Sequence, residues 1–84
     1  MRDIGRFEIN GTAAGKDNSI KLDEISILAC PETIRAIGEF LIKAADRMKF
    51  DGSDHMHLQD NFNGFSELMH VDVIVLNDEI THKV

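Results

Sequence analysis

The sequence predicts an α+β fold: one amphipathic helix packed on a mainly antiparallel four-stranded sheet, in the order ββαββ. Three observations predict it. A long stretch after Pro31 repeats its apolar residues with a helical period. Short apolar-polar alternations with a period of two flank it on both sides. The apolar run Val71 to Leu76 (VDVIVL) reads as a central strand. With 84 residues there is room for one domain, spanning 1–84, with a thin core.

The first strand is expected over Arg6 to Asn10, where Phe7 and Ile9 alternate with Arg6, Glu8 and Asn10. Gly11 to Ser19 is small and polar, a loop by composition. The second strand is expected over Ile20 to Ala29, making a hairpin with the first. Its alternation slips at Asp23-Glu24, the mark of a bulge or bend.

Pro31 suits the first helical position, Glu32 complements the dipole of the first turn, and Gly52 is a natural stop. Ile34, Ile37, Gly38, Leu41, Ala45 and Met48 fall on one narrow stripe, widened by Phe40, Ile42 and Ala44, which predicts that Ile34, Ile37, Leu41, Ala45 and Met48 are buried on the sheet. Glu39 and Lys43 make a favourable i,i+4 pair. A third strand is expected within Asp54 to Asp60 and a fourth over Val71 to Leu76. Asn63-Gly64 could join them as a tight turn, but Ser66-Glu67 breaks the pattern and favours one longer loop over Asn61 to His70. The tail from Asn77 is polar and weakly specified.

The net charge of -6 and pI near 5.0 argue against nucleic acid and anionic membrane as partners, because both call for clustered Lys and Arg. The acidity suits a basic protein partner and equally a protein kept soluble by its charge. One cysteine, Cys30, allows no intrachain disulfide. The first residues lack the apolar segment of a secretory signal, and no apolar run reaches the ~20 residues of a membrane helix. A cytoplasmic location is expected.

The sharpest polar cluster is Asp54-His55-Met56-His57, with Gln59, Asp60, His70 and Asp72 further along. Two histidines at i and i+2 on a strand share a face. A tight turn at Asn63-Gly64 would set His57 against His70 and His55 against Asp72. His55, His57 and His70 would then be candidate zinc ligands. The spacing is generic, and the polar side of a half-exposed sheet looks the same. No metal and no cofactor are expected.

Cys30 precedes a helix N-terminus, where a thiol can be activated, yet a packed structural cysteine is the expectation. Glu8, Asp23 and Glu24 fit a solvated sheet edge better than a pair of catalytic acids. Gly11 to Gly15 lacks the lysine and Ser/Thr of a phosphate loop. No catalytic residues are assigned. With no Trp or Tyr and one helix, little space is expected for an enclosed substrate site.

Three stretches in order, ISILACPETIRAIGEFLIKAADRM, HMHLQD and VDVIVLN, resemble the immunity protein 32 family of bacterial polymorphic toxin systems. The resemblance runs from about Ile25 to Asn77. It does not extend to the first hairpin, and Asn61 to His70 carries no strong signature. It implies a non-enzymatic protein that neutralises a cognate toxin by direct contact. Asp54, His55, His57, Gln59, Asp60 and Asp72 are the candidate partner-binding residues. A small metal-binding or regulatory domain and a homodimeric module are the alternatives.

Overall fold

A computed structural model describes residues 4–81. Its elements are β1 (Ile9–Gly11), β2 (Ile20–Leu22), α1 (Pro31–Asp51), β3 (His55–His57), a 3-10 turn (Leu58–Asn61), β4 (Ile74–Leu76) and the four-residue α2 (Asp78–Thr81). The order ββαββ is present, and the class is α+β. The expected four-stranded sheet is not: β1 pairs with β2 and β3 with β4, as two separate antiparallel ribbons.

The first ribbon is shorter than its alternation suggested, for an electrostatic reason. Ile9 lies opposite Leu22 and Gly11 opposite Ile20. One further step would place Glu8 directly opposite Asp23, and like charges facing across a ladder are unfavourable. The chain bends at Asp23 instead. Ile25 and Ile27 then fall in irregular, exposed backbone rather than in a strand.

Helix α1 follows its punctuation closely. Cys30 is extended at the N-cap and Pro31 opens the helix. At the other end Gly52 takes φ 70°, a left-handed conformation that glycine adopts without the Cβ clash. Its N–H donates to the Arg47 carbonyl, which also accepts from Ser53 N–H at 3.3 Å. The i,i+4 ion pair is Arg47–Asp51 at 3.6 Å, exposed on both sides and worth a few tenths of a kcal/mol at most. Lys43 turns away from Glu39 and donates to Asn61 Oδ1 at 2.9 Å.

The buried face of α1 is not the one the apolar stripe predicts. The covered residues are Phe40 and Ala44, with Ile37 and Met48 half-buried beside them. Ile34 and Leu41 remain 43% and 45% exposed, and Ala45 is exposed too. By the 3.6-residue period the buried face is rotated by roughly 60° from the expected stripe. The rotation turns the ring of Phe40 inward, a large apolar area, while the ring of Phe50 near the end of the helix stays exposed. It also leaves much of the stripe in water.

Helix α1 meets β3 and the 3-10 turn. The β3–β4 register is His55 opposite Leu76, Met56 opposite Val75 and His57 opposite Ile74. Two further bonds extend the ladder, Asn77 N–H to the Asp54 carbonyl and Leu58 N–H to the Val73 carbonyl, both 2.8 Å. Met56, Leu58, Val73 and Val75 are half-buried, whereas His55, Ile74 and Leu76 are exposed. The ribbon thus has an inner face toward the core and an outer one.

Asn77 closes this arrangement. It is the buried polar residue among those described, at 7% exposure. Its Nδ2 donates to the Ser53 carbonyl at 3.0 Å, and its Oδ1 accepts from Glu79 N–H at 3.0 Å. The side chain therefore caps α2 and ties β4 to the segment leaving α1. The polar tail expected after Asn77 begins instead with a fixed residue and a helical turn.

Two substitutions test this packing in denaturant unfolding. Phe40→Ala should cost about 3–5 kcal/mol, as for a buried aromatic. Asn77→Ala should cost about 1–3 kcal/mol, because the Ser53 carbonyl and the Glu79 N–H lose the buried side chain that partners them. A loss under 0.5 kcal/mol at either position would contradict the packing described.

Candidate binding face on the second ribbon

Opposite residues of an antiparallel pair point to the same side, so His55, His57, Ile74 and Leu76 share the outer face. Continuing the register sets Gln59 against Asp72 and makes Asp72 the diagonal neighbour of His57. The chain uses this position fully. His57 Nδ1 lies 2.8 Å from Asp72 Oδ2, and Gln59 N–H donates to Asp72 Oδ1 at 3.0 Å. The carboxylate thereby extends the ribbon by one rung.

The backbone of His57 is held as well. Asn61 Nδ2 donates to the His57 carbonyl at 2.8 Å, and Asn61 Oδ1 accepts from Lys43. A continuous polar chain, Lys43–Asn61–His57–Asp72–Gln59, therefore links α1, the 3-10 turn, β3 and the segment that leads into β4. His55 Nδ1 lies 2.9 Å from Asp54 Oδ1, both groups well exposed. The two imidazoles meet edge to face with centroids 5.3 Å apart. Each commits Nδ1 to a carboxylate, which leaves Nε2 for a partner.

The surroundings act on the acids in opposing ways. Burial pushes the Asp72 carboxyl up, but the hydrogen bonds from His57 and Gln59 outweigh it and hold Asp72 below the usual carboxylate range. Asp54 is lowered by its hydrogen bond with His55 and by that ring's charge. At the start of α1, the hydrogen bond with the Thr33 hydroxyl, at 3.4 Å, lowers the Cys30 thiol. Cys30 is exposed, which corrects the expectation of a packed cysteine.

The candidate residues separate into groups. Asp72, His55 and His57 come together, with Asp54 bonded at the edge and Gln59 joined through its backbone. Asp60 sits exposed on the 3-10 turn. His70 does not join them. Its Nδ1 accepts from Ser66 N–H at 2.9 Å and its ring lies 5.5 Å from that of Phe65, inside a loop of its own. The tight turn that would have delivered it is absent: Asn63-Gly64 turns the chain but does not join the strands, and the register sets Ile74 rather than His70 against His57. The β-branched run pairs better, and the longer connection favoured by the sequence absorbs His70. Among the described residues no three His, Cys, Asp or Glu side chains converge as a metal site would need.

The sequence reading missed Asn61, Ile74 and Leu76 as members of this site. An Asn at the end of a 3-10 turn carries no signal of its own. The two apolar residues read only as part of a central strand, because VDVIVL alone does not say which of its side chains face outward. Ile74 is 51% exposed and Leu76 62%.

The chain matches no protein-family model, no curated protein and no solved structure. The resemblance to the immunity protein 32 family stands on its three sequence stretches. Among the described residues no helix is long and apolar enough to cross a membrane.

A pH titration checks the Asp72 linkage. Its folded-state pKa is depressed, so its contribution to stability is present above the unfolded carboxylate value and is lost as pH falls through the folded one. Asp72→Asn should flatten the fall in stability on acidification below the ordinary carboxylate range, with the Gln59 bond retained by the amide oxygen. An acid profile unchanged by the substitution would contradict the linkage.

Proposed function

We propose that this chain is a non-enzymatic binding protein that engages one protein partner through the outer face of β3–β4. The observation that supports it most is the composition of that face. Exposed Ile74 and Leu76 lie directly opposite His57 and His55, on a ribbon held in place by Asp72 and Asn77. Apolar area beside ordered hydrogen-bonding groups is what the centre of a protein interface consists of. The grooves along α1 are open and lined mainly by its own surface residues.

The partner proposed is a cognate bacterial toxin, and the role is immunity in the cytoplasm of the producing cell. The resemblance from Ile25 to Asn77 supports that choice, and the net charge of -6 suits a basic toxin. The acidic residues Asp54 and Asp60 flank the face and would steer the encounter, while Ile74 and Leu76 would hold the complex. Such a contact needs on the order of 800 Å² on this chain.

The test is co-expression with the C-terminal domain of the protein encoded immediately upstream. Cells should survive with this chain and die without it. Leu76→Asp should speed dissociation and abolish protection. Asp54→Lys with Asp60→Lys should slow association and flatten its salt dependence, with less effect on dissociation. Equal death with and without this chain would contradict the immunity role. Turnover of a small substrate that depends on His55 or His57 would replace binding with catalysis.

A further inference from the structure

Two carboxylates decide where the histidines of the outer face carry their protons. His57 Nδ1 lies 2.8 Å from Asp72 Oδ2, and His55 Nδ1 lies 2.9 Å from Asp54 Oδ1. An ionised carboxylate can only accept a hydrogen bond, so the proton of each bond sits on Nδ1. Burial pushes the Asp72 carboxyl up, yet the hydrogen bonds from His57 and Gln59 keep it below the usual range, and His55 lowers Asp54 in the same way. A neutral imidazole has one N–H. With that N–H turned to the carboxylate, Nε2 is left as a bare lone pair, an acceptor.

The Nε2 atom of His57 is open to a partner. His57 is half-buried and bonds within the chain through Nδ1 and its carbonyl. Among the described residues that are not exposed, no fully buried side-chain nitrogen or oxygen lacks a partner, so His57 Nε2 reaches the surface.

The groups around this atom favour a positively charged donor. Asp72 faces His57 from the segment that leads into β4, and its Oδ1 is already taken by Gln59 N–H. The ring of His55, with Asp54 on its Nδ1, meets that of His57 edge to face at 5.3 Å. Lys43 of α1, the cation of this polar network, donates to Asn61 Oδ1 rather than to either carboxylate. With a neutral ring, each His–Asp pair keeps one net negative charge. A proton on Nε2 would cancel that charge and turn the acceptor into a donor.

We propose that the outer face of β3–β4 recognises a basic side chain of its protein partner, an Arg or Lys whose N–H donates to His57 Nε2 while its charge lies against the Asp72 and Asp54 carboxylates. Such recognition rests on the reading of this face as a binding surface and adds the chemistry that the face selects. Ile74 lies directly opposite His57 and Leu76 opposite His55, so the aliphatic stem of the same side chain finds apolar cover. A partner that offers a carboxylate or carbonyl at this point is rejected, because acceptor would face acceptor. A second copy of this chain, packed face to face, is disfavoured on the same ground.

Nitrogen-15 NMR of the free full chain tests the acceptor without any partner. At about pH 8 His57 should be the Nδ1–H tautomer with a bare Nε2. Asp72→Asn keeps its amide oxygen on Gln59 N–H and turns its NH2 toward His57, which should convert the ring to the Nε2–H tautomer. Binding is then measured with the C-terminal domain encoded immediately upstream as the probe. Affinity should fall roughly tenfold or more with Asp72→Asn and with His57→Phe, as for loss of a hydrogen bond to a charged group. It should fall comparably for the wild type between about pH 8 and about pH 5.5, and much less for His57→Phe over the same span. An Nε2–H tautomer at His57 in the wild type would overturn the proposal whether or not the probe binds, as would tight binding indifferent to His57→Phe. A folded wild-type chain with the expected tautomer that leaves the probe unbound at either pH would overturn the binding reading of this face, and the proposal with it.

Discussion

The arrangement hangs on one buried amide. Asn77 is at 7% exposure, and the hydrogen bonds around it tie together three parts of the chain. Its backbone N–H extends the β3–β4 ladder to Asp54, its Nδ2 holds the Ser53 carbonyl just after α1, and its Oδ1 starts α2. In a structure with so little buried hydrocarbon, a satisfied polar hub specifies geometry that packing alone would leave loose. The left-handed Gly52 completes the junction, since it turns the chain from α1 into the ribbon that Asn77 secures.

From that junction the outer face follows. Once Asn77 lies opposite Asp54, the register sets His57 opposite Ile74 and Asp72 diagonal to His57. Asp72 then does for the far end of the ribbon what Asn77 does for the near end, accepting from Gln59 N–H and His57 together. Lys43 and Asn61 join this end to α1. The face is therefore pinned at both ends by polar groups, and its exposed apolar residues sit between them. A surface presented this rigidly loses little entropy when a partner covers it, which is how a small contact area gains affinity.

Much of this was legible from residue patterns, and the failures have physical causes. The ββαββ order, the Pro31 start and the Gly52 stop were readable because each depends on local chemistry. The pairing of His55 and His57 on one face followed from strand geometry. The split into two short ribbons was not readable: Glu8 opposite Asp23 ends the first ribbon early, and that conflict exists only once a register is known. The helix phase failed for a different reason. Periodicity finds an apolar stripe but cannot say what covers it, and here the ring of Phe40 takes the core while the stripe through Ile34 and Leu41 stays outside. Asn77 was hard to see because, beyond its local cap on Glu79 N–H, its role lies in the Ser53 and Asp54 carbonyls, distant in sequence.

Amide hydrogen exchange on the full chain tests the central claim, that the twice-anchored β3–β4 ribbon is the rigid platform of this protein. The N–H groups of Leu58, Gln59 and Asn77 should be among the slowest to exchange, since each donates to a partner across the ribbon. Those of the loop between β1 and β2 should exchange far faster. Exchange at Leu58, Gln59 and Asn77 as rapid as in that loop would contradict the account.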